Sequence, residues 1–206
     1  METNWAAEHL QVIRTLMERS AVYRRALAPT MALTGGVGVA AAVAGLLARI
    51  DRPQNFALYW LLVGVAAAAG AFLLVRRQAL KEGEPLWSPP TRRVTQALLP
   101  PLTAGFLLTV MALIEATGIH LIRLTAGWII LYGCALHAAG FFMPRGIKMF
   151  GWAFVLGGCG IIALNRFDWP GSVPIYAHAI MGLFFGALHL AYSVYLYFTE
   201  QPAKMA

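Results

Sequence analysis

Four side chains in the apolar part of the chain have the chemistry of transition-metal or haem ligands: Cys134, His137, Cys159 and His189. Thiolate and imidazole groups suit zinc and copper, and Cys134 and His137, three residues apart, share a helix face. His137 and His189 on parallel helices could instead hold a haem between them. The same residue types also serve as packing, because a buried histidine can bond a carbonyl or hydroxyl group and a free cysteine packs as a small apolar side chain.

Polar residues at other positions outline a second kind of site, a path for a proton, an ion or a small solute. His178 lies eleven residues before His189, on nearly the same helix face and about 16 Å away at 1.5 Å per residue. Glu115, His120 and Arg123 surround a predicted tight turn. A Glu115–Arg123 pair would neutralise both charges, either as a clamp on this hairpin or as part of an outer vestibule. Such residues are costly inside a membrane and are functional candidates for that reason.

Sequence motifs of several common enzyme classes do not occur in the chain. It contains no phosphate-binding P-loop, no H-E-x-x-H, no G-x-S-x-G and no C-x-x-C-H. Nucleotide-driven transport, zinc proteolysis, hydrolysis by an elbow serine and c-type haem attachment therefore find no support. We expect a function without covalent catalysis.

The candidate residues lie in or beside stretches that are predicted to form apolar helices. Hydrophobic residues make up 59% of the 206 residues and charged residues 12%, and the mean hydropathy is +0.65. An ordinary soluble domain has about a quarter of its residues charged, and a disordered chain is poor in apolar residues, so both classes are excluded. A helix needs about 20 apolar residues to cross a membrane, and six candidate stretches cover 27–48, 56–75, 98–117, 119–142, 149–164 and 173–198. The predicted fold is an all-α domain, 27–198, of six transmembrane helices in three hairpins.

Basic residues sort to one side of these six spans. Twelve of the 16 lysines and arginines fall on the side of the two termini, and four fall on the other. Because cytoplasmic loops are enriched in lysine and arginine, both termini are predicted to be cytoplasmic. The net charge of +7 is then a topology signal, and nucleic-acid binding is not expected since no soluble domain carries a basic face.

Two segments outside the spans are predicted to make surface contacts. Residues 1–26 have the apolar periodicity of an amphipathic helix that lies on the cytoplasmic surface of the lipid bilayer. The same helix could instead dock on a protein partner or a sister subunit. The loop 76–97 is the longest and is the second candidate contact, and 199–206 form a short cytoplasmic tail.

Small residues predict where helices approach one another closely. Gly38, Ala42 and Gly45 have nearly small-xxx-small spacing in the first span, and Gly157 and Gly158 lie in the fifth. In lipid such residues let two helices pack at short distance. They serve either packing within one chain or an interface between copies, and we expect a homo-oligomer.

A short string recurs in two of the spans. A-L-H occurs at 135–137 in the fourth span and again at 187–189 in the sixth. Gly105 and Gly157 have the same offset. The last two hairpins would then form a parallel repeat, an arrangement known in some transporters.

Three motifs carry a resemblance that covers most of the chain. They are I-R-T-L-M-E-R-S at 13–20, L-Y-G at 131–133 and G-A-L-H at 186–189. With them the chain resembles a group of uncharacterised bacterial inner-membrane proteins of similar length. The resemblance implies a six-span protein, often encoded near a winged-helix regulator, and implies no activity. His137 departs from the group's pattern, which weakens a His137–His189 pair as a shared feature.

These observations leave three function classes. The leading prediction is a small-solute or ion transporter or channel, or the membrane component of a regulatory system. The first alternative is a haem- or metal-binding membrane protein with a redox or sensing role. The second is an accessory or structural membrane subunit, with residues 1–26 and 76–97 as its contacts.

Overall fold

The computed structural model describes residues 26–83, 85–114, 120–143, 145–164 and 173–199. Helices make up most of this part of the chain, and no strand occurs in it. The six helices are α1 (Ala26–Leu47), α2 (Pro53–Lys81), α3 (Pro89–Ile114), α4 (Leu121–Ala139), α5 (Arg145–Leu164) and α6 (Val173–Thr199). All six are long and apolar enough to cross a membrane, which confirms the predicted number of spans. The predicted amphipathic helix and tail lie outside the described residues.

The connection between α2 and α3 is much shorter than the sequence predicts. The prediction of a loop at 76–97 is wrong, because α2 continues to Lys81 and α3 begins at Pro89. A search for apolar stretches stops at the first charged residues. Arginine, lysine and glutamine nevertheless favour helix, and their long side chains carry the charge out of the lipid. Only 82–88 connect the two helices.

The beginning of α3 has a local explanation in its first residues. Proline at the first helical position needs no backbone hydrogen bond, and Pro89 occupies that position. The Ser88 carbonyl accepts the Arg92 N–H at 3.0 Å, and the Ser88 and Thr91 hydroxyls lie 2.9 Å apart. Pro100 and Pro101 lie inside this continuous helix.

Four of the helices form most of the core. Buried residues of α1, α4, α5 and α6 make one continuous cluster, which Phe56 and Trp60 of α2 join at one end. A smaller cluster of Ala57, Ala112 and Leu124 connects α2, α3 and α4. α4 is the most buried helix, whereas α2 and α3 are the most exposed. The two exposed helices therefore lie at the edge of the bundle, where apolar side chains suit contact with lipid.

Glycine and alanine residues make the contact between α1 and α6 close. A methyl group added at Gly38 would collide with the backbone of Phe185, and one at Gly45 would collide with the ring of His178. Ala42 is buried, and a methyl group at Gly182 would lie 2.7 Å from its Cβ. The predicted small residues of the first span thus lie against a helix of the same chain.

The small residues of α5 have the same role on two other helices. A methyl group at Gly157 would collide with the Phe184 ring of α6. One at Gly158 would lie 2.6 Å from Ile130 Cγ1 of α4. Close packing by dispersion contacts is the main attraction between helices in lipid, so these contacts hold α5 between its two neighbours.

Candidate functional site

The imidazole of His189 is fully enclosed inside the bundle. Its exposed fraction is 0%. Its Nδ1 lies 3.0 Å from the Phe184 carbonyl oxygen, and its Nε2 lies 2.8 Å from the Tyr132 hydroxyl. A carbonyl oxygen only accepts hydrogen bonds, so Nδ1 carries the hydrogen and Nε2 accepts the hydroxyl of Tyr132. Both ring nitrogens of the neutral imidazole therefore take part in hydrogen bonds.

Aromatic rings from three helices surround this histidine. The ring centroids of Phe150 and Phe154 on α5 lie 5.2 Å and 5.4 Å from that of His189. Tyr132 on α4 lies at 5.5 Å and Phe185 on α6 at 6.2 Å. Edge-to-face and stacked rings at such distances add to the stability that burial alone provides. The Tyr132–His189 bond is consequently enclosed by apolar surface.

α6 changes its winding immediately before His189. Residues Gly182–Ala187 form a π-helical turn, in which the Leu188 N–H bonds the Leu183 carbonyl five residues back. The wider turn disturbs the usual ladder of backbone bonds, and π turns occur frequently at functional sites. The side chain of His189 bonds the Phe184 carbonyl inside this turn. It thereby satisfies a backbone group of its own helix.

His178 forms a second buried site on α6, about 16 Å from His189 at 1.5 Å per residue. Its exposed fraction is 1%. The Trp60 Nε1–H donates to its Nδ1 at 3.2 Å, and its Nε2 lies 3.2 Å from the Ile50 carbonyl oxygen. The hydrogen is therefore on Nε2, the nitrogen opposite to that of His189. The Phe56 ring lies edge-on at 4.8 Å, so this site joins α6 to α2 and to the connection that precedes it.

The predicted group of four metal ligands does not form. Cys134 and Cys159 are exposed on the outside of the bundle, whereas His189 is inside it. His137 contacts Phe141 and Trp152 at ring centroid distances of 5.5 Å and 5.6 Å. In the part of the chain that the structure describes, no three His, Cys, Asp or Glu side chains are placed to hold a metal ion. Equal depth along two helices does not determine the direction in which their side chains point.

A haem held by His137 and His189 also fits these residues poorly. The only lone pair of a neutral imidazole is on its unprotonated nitrogen. In His189 that nitrogen is Nε2, which accepts the hydrogen bond of Tyr132. An axial ligand role would require this bond to break and the surrounding rings to separate.

The polar residues predicted near the outer hairpin are only partly described. His120 precedes the first turn of α4 without bonding it through its side chain. His120 and Arg123 are both exposed. Glu115 lies outside the described residues, so the Glu115–Arg123 pair stays a prediction. Of the predicted path residues, the structure places His178 and His189 inside the bundle.

Sequence reasoning missed the partners of the two histidines and one isolated hydroxyl. Tyr132 lies within the L-Y-G motif, which assigns it no chemical role, and no sequence pattern singles out Trp60. A buried tyrosine or tryptophan usually finds a hydrogen-bond partner, which would have marked both residues. Thr125 is 0% exposed, and its Oγ1 has no hydrogen-bond partner among the described residues. It precedes Tyr132 by seven residues and shares its helix face.

Comparison of the chain with protein-family models, curated proteins and solved structures finds no match. Its geometry is therefore the basis for assigning a function. The six helices, by length and composition, fit an integral membrane protein. Within it, a hydrogen bond joins Tyr132 of α4 to the buried His189 of α6, and the buried Thr125 lies on the same face of α4 as Tyr132.

Proposed function

We propose that this protein is a membrane carrier of protons or of a small polar solute, and that its working part is the interface between α4 and α6. The observation that carries the proposal is the π-helical turn between the two buried histidines of α6. Ionisable residues at membrane depth are retained mainly for function. A π turn beside them is a place where a helix can change its register at low cost.

The interface is closed, which favours a carrier over an open channel. Phe150, Phe154 and Phe185 enclose His189, and both of its nitrogens are bonded. Passage along α4 and α6 therefore requires these helices to separate. The His189 side chain donates a hydrogen bond to the Phe184 carbonyl, so a solute that draws this side chain away also removes that hydrogen bond from the π turn. Binding and helix movement are coupled through that one imidazole.

Thr125 provides a second polar position along the same route. Its hydroxyl lies about 10 Å from the level of Tyr132, at 1.5 Å per residue over seven residues. A buried hydroxyl without a partner costs free energy, about 1–3 kcal/mol by mutational data. A transported solute or a water molecule that bonds Thr125 would recover this cost. The proposed path therefore follows α4 and α6, and adds Thr125 to the predicted residues His178 and His189.

The test uses chemical accessibility and needs no knowledge of the solute. Cys134 and Cys159 are replaced by serine, and Thr125→Cys is introduced into this background. Vesicles of either orientation are then treated with a membrane-impermeant methanethiosulfonate. A carrier exposes its interior alternately, so we expect labelling from both sides. No labelling from either side would contradict the proposal.

A matched control separates opening at this interface from general loosening. Ala126 is the neighbouring residue, and it is also 0% exposed. It lies near α5, because an added methyl group at Gly158 would lie 3.0 Å from its carbonyl oxygen. Ala126→Cys should stay unlabelled under the same conditions. Adding His189→Asn to the Thr125→Cys variant should raise its labelling rate, since the bond that closes the interface is lost.

The expected homo-oligomer and the partner contact of residues 1–26 stay predictions beside this proposal. A carrier of this size functions either as a monomer or as an assembly. Light scattering of the purified protein after size-exclusion chromatography measures the mass of the assembly. Removal of residues 1–25 then tests whether that segment holds it together.

A further inference from the structure

We propose that the end of the bundle where α2 finishes and α3 begins binds the phosphate groups of anionic lipids. We call this end the basic end, and it comprises residues 76–93. The segment carries five basic and two acidic residues. The side chains of all five basic residues are exposed: Arg76, Arg77, Lys81, Arg92 and Arg93. Guanidinium groups match phosphate oxygens in both charge and geometry.

The length of α2 places these charges at the depth of the lipid headgroups. Its 29 residues span about 44 Å at 1.5 Å per residue. The hydrocarbon core is about 30 Å thick, and the bilayer with its headgroups about 40–45 Å. The helix therefore continues through both headgroup layers. Arg76 and Arg77 lie within the last two turns before its end at Lys81, which is the level of the phosphates.

The loop that follows favours lipid over a soluble partner. Only 82–88 connect α2 to α3, so this loop does not extend far from the bilayer. Trp87 within it is 64% exposed. Tryptophan concentrates at the membrane–water interface because its ring is apolar and its N–H is polar. An exposed tryptophan between two arginine pairs therefore has the pattern of a headgroup contact.

The opposite end of α2 supplies a matched control. Arg49 and Arg52 are also exposed, and they flank the short connection from α1 to α2. They form one pair of arginines, beside the acidic residue Asp51, in place of two pairs and a lysine. Lipid binding by general positive charge would involve both ends to a similar extent. Binding at a built site would involve the basic end alone.

The experiment measures lipid retention by native mass spectrometry of the purified full chain in neutral detergent. Phosphatidylglycerol or phosphatidylcholine is titrated into the wild type and into the variants R76Q/R77Q, R92Q/R93Q and R49Q/R52Q. We expect the wild type to prefer phosphatidylglycerol. Each basic-end variant should bind it more weakly, by roughly five-fold per arginine removed. R49Q/R52Q should bind as the wild type does.

Three results would overturn the proposal. They are equal binding of the two lipids by the wild type, unchanged binding by both basic-end variants, and an equal loss in R49Q/R52Q. Unchanged lipid binding by both basic-end variants would favour a protein partner at this end. Substitutions of exposed arginines should preserve the fold, and the elution volume on size-exclusion chromatography checks this. R76K/R77K keeps the charge and should recover most of the binding.

Discussion

His178 and His189 lie on one helix and are both buried, yet they donate from opposite ring nitrogens and bond different parts of the bundle. His189 donates from Nδ1 to a carbonyl of its own π turn and accepts from Tyr132 of α4. His178 donates from Nε2 to the Ile50 carbonyl of the α1–α2 connection and accepts from Trp60 of α2. The first histidine stabilises an irregular turn in the middle of the bundle, and the second joins α6 to α2 and to the connection between α1 and α2.

The difference shows that the contribution of a histidine to stability depends on its position along the helix. The imidazole of His189 and its bond to Tyr132 lie among the aromatic rings of α5 and α6. Of the two partners of His178, Trp60 is buried, but the Ile50 carbonyl lies beside the exposed residues Asp51 and Arg52. Water can replace the imidazole of His178 at that carbonyl. We therefore expect the centre of α6 to depend more strongly on its histidine.

The largest effect should come from removing each imidazole in turn. His189→Ala leaves a cavity and removes the hydrogen-bond partner shared by the Tyr132 hydroxyl and the Phe184 carbonyl, so it should lower the free energy of unfolding by about 3 kcal/mol. His178→Ala should cost about 1–2 kcal/mol, since water can replace the imidazole at the Ile50 carbonyl. Unfolding of the detergent-solubilised protein in increasing dodecyl sulfate measures both. An equal or larger loss for His178→Ala would reverse the comparison.

A smaller effect is expected from crowding His178 without removing it. A methyl group at Gly45 would collide with its ring, whereas one at Gly36 would meet nothing within 4 Å. Gly45→Ala should therefore cost about 1–3 kcal/mol, the usual range for overpacking. Gly36→Ala should be neutral or slightly stabilising, because alanine favours helix over glycine. The same unfolding assay compares the pair, and equal behaviour would show that the α1–α6 contact is loose.

The smallest effect on stability should come from one hydroxyl group. Tyr132→Phe removes the donor to His189 Nε2 and should cost about 1 kcal/mol or less, as interhelical hydrogen bonds in membrane proteins do. Nitrogen-15 spectra of labelled histidines offer a sharper measurement. In the wild type, His189 should be protonated on Nδ1 and His178 on Nε2. Tyr132→Phe should shift the Nε2 signal of His189 alone; two histidines with the same tautomer would contradict the assigned bonds.

The recurring string A-L-H shows what the sequence could not distinguish. His137 and His189 both follow alanine and leucine in apolar helices. His189 is enclosed and fully bonded, whereas His137 is half-buried and its Nδ1 has no partner among the described residues. The two cysteines expected near them face outward. Identical local sequence therefore carries no information on which histidine lies at the centre.

The number of helices was predictable because it depends on local, additive quantities. The thickness of the hydrocarbon core and the rise per residue set a minimum apolar length, and six stretches come close to or exceed it. The candidate residues His178 and His189 were also recognisable, since few polar residues occur in those stretches. The prediction of a loop at 76–97 is wrong, because the charged residues at its two ends favour helix.

From composition and apolar length alone, the chain is recognisable as a membrane protein of six helices with two histidines in the last. The direction in which each helix faces, and with it the pairs Tyr132–His189 and Trp60–His178, is visible only in the folded chain. The cause is that lipid and protein interior are equally apolar. A soluble helix reveals its buried face by a hydrophobic stripe, but a transmembrane helix gains nothing by such a stripe. Its orientation depends on close packing and on a few hydrogen bonds between residues distant in the chain.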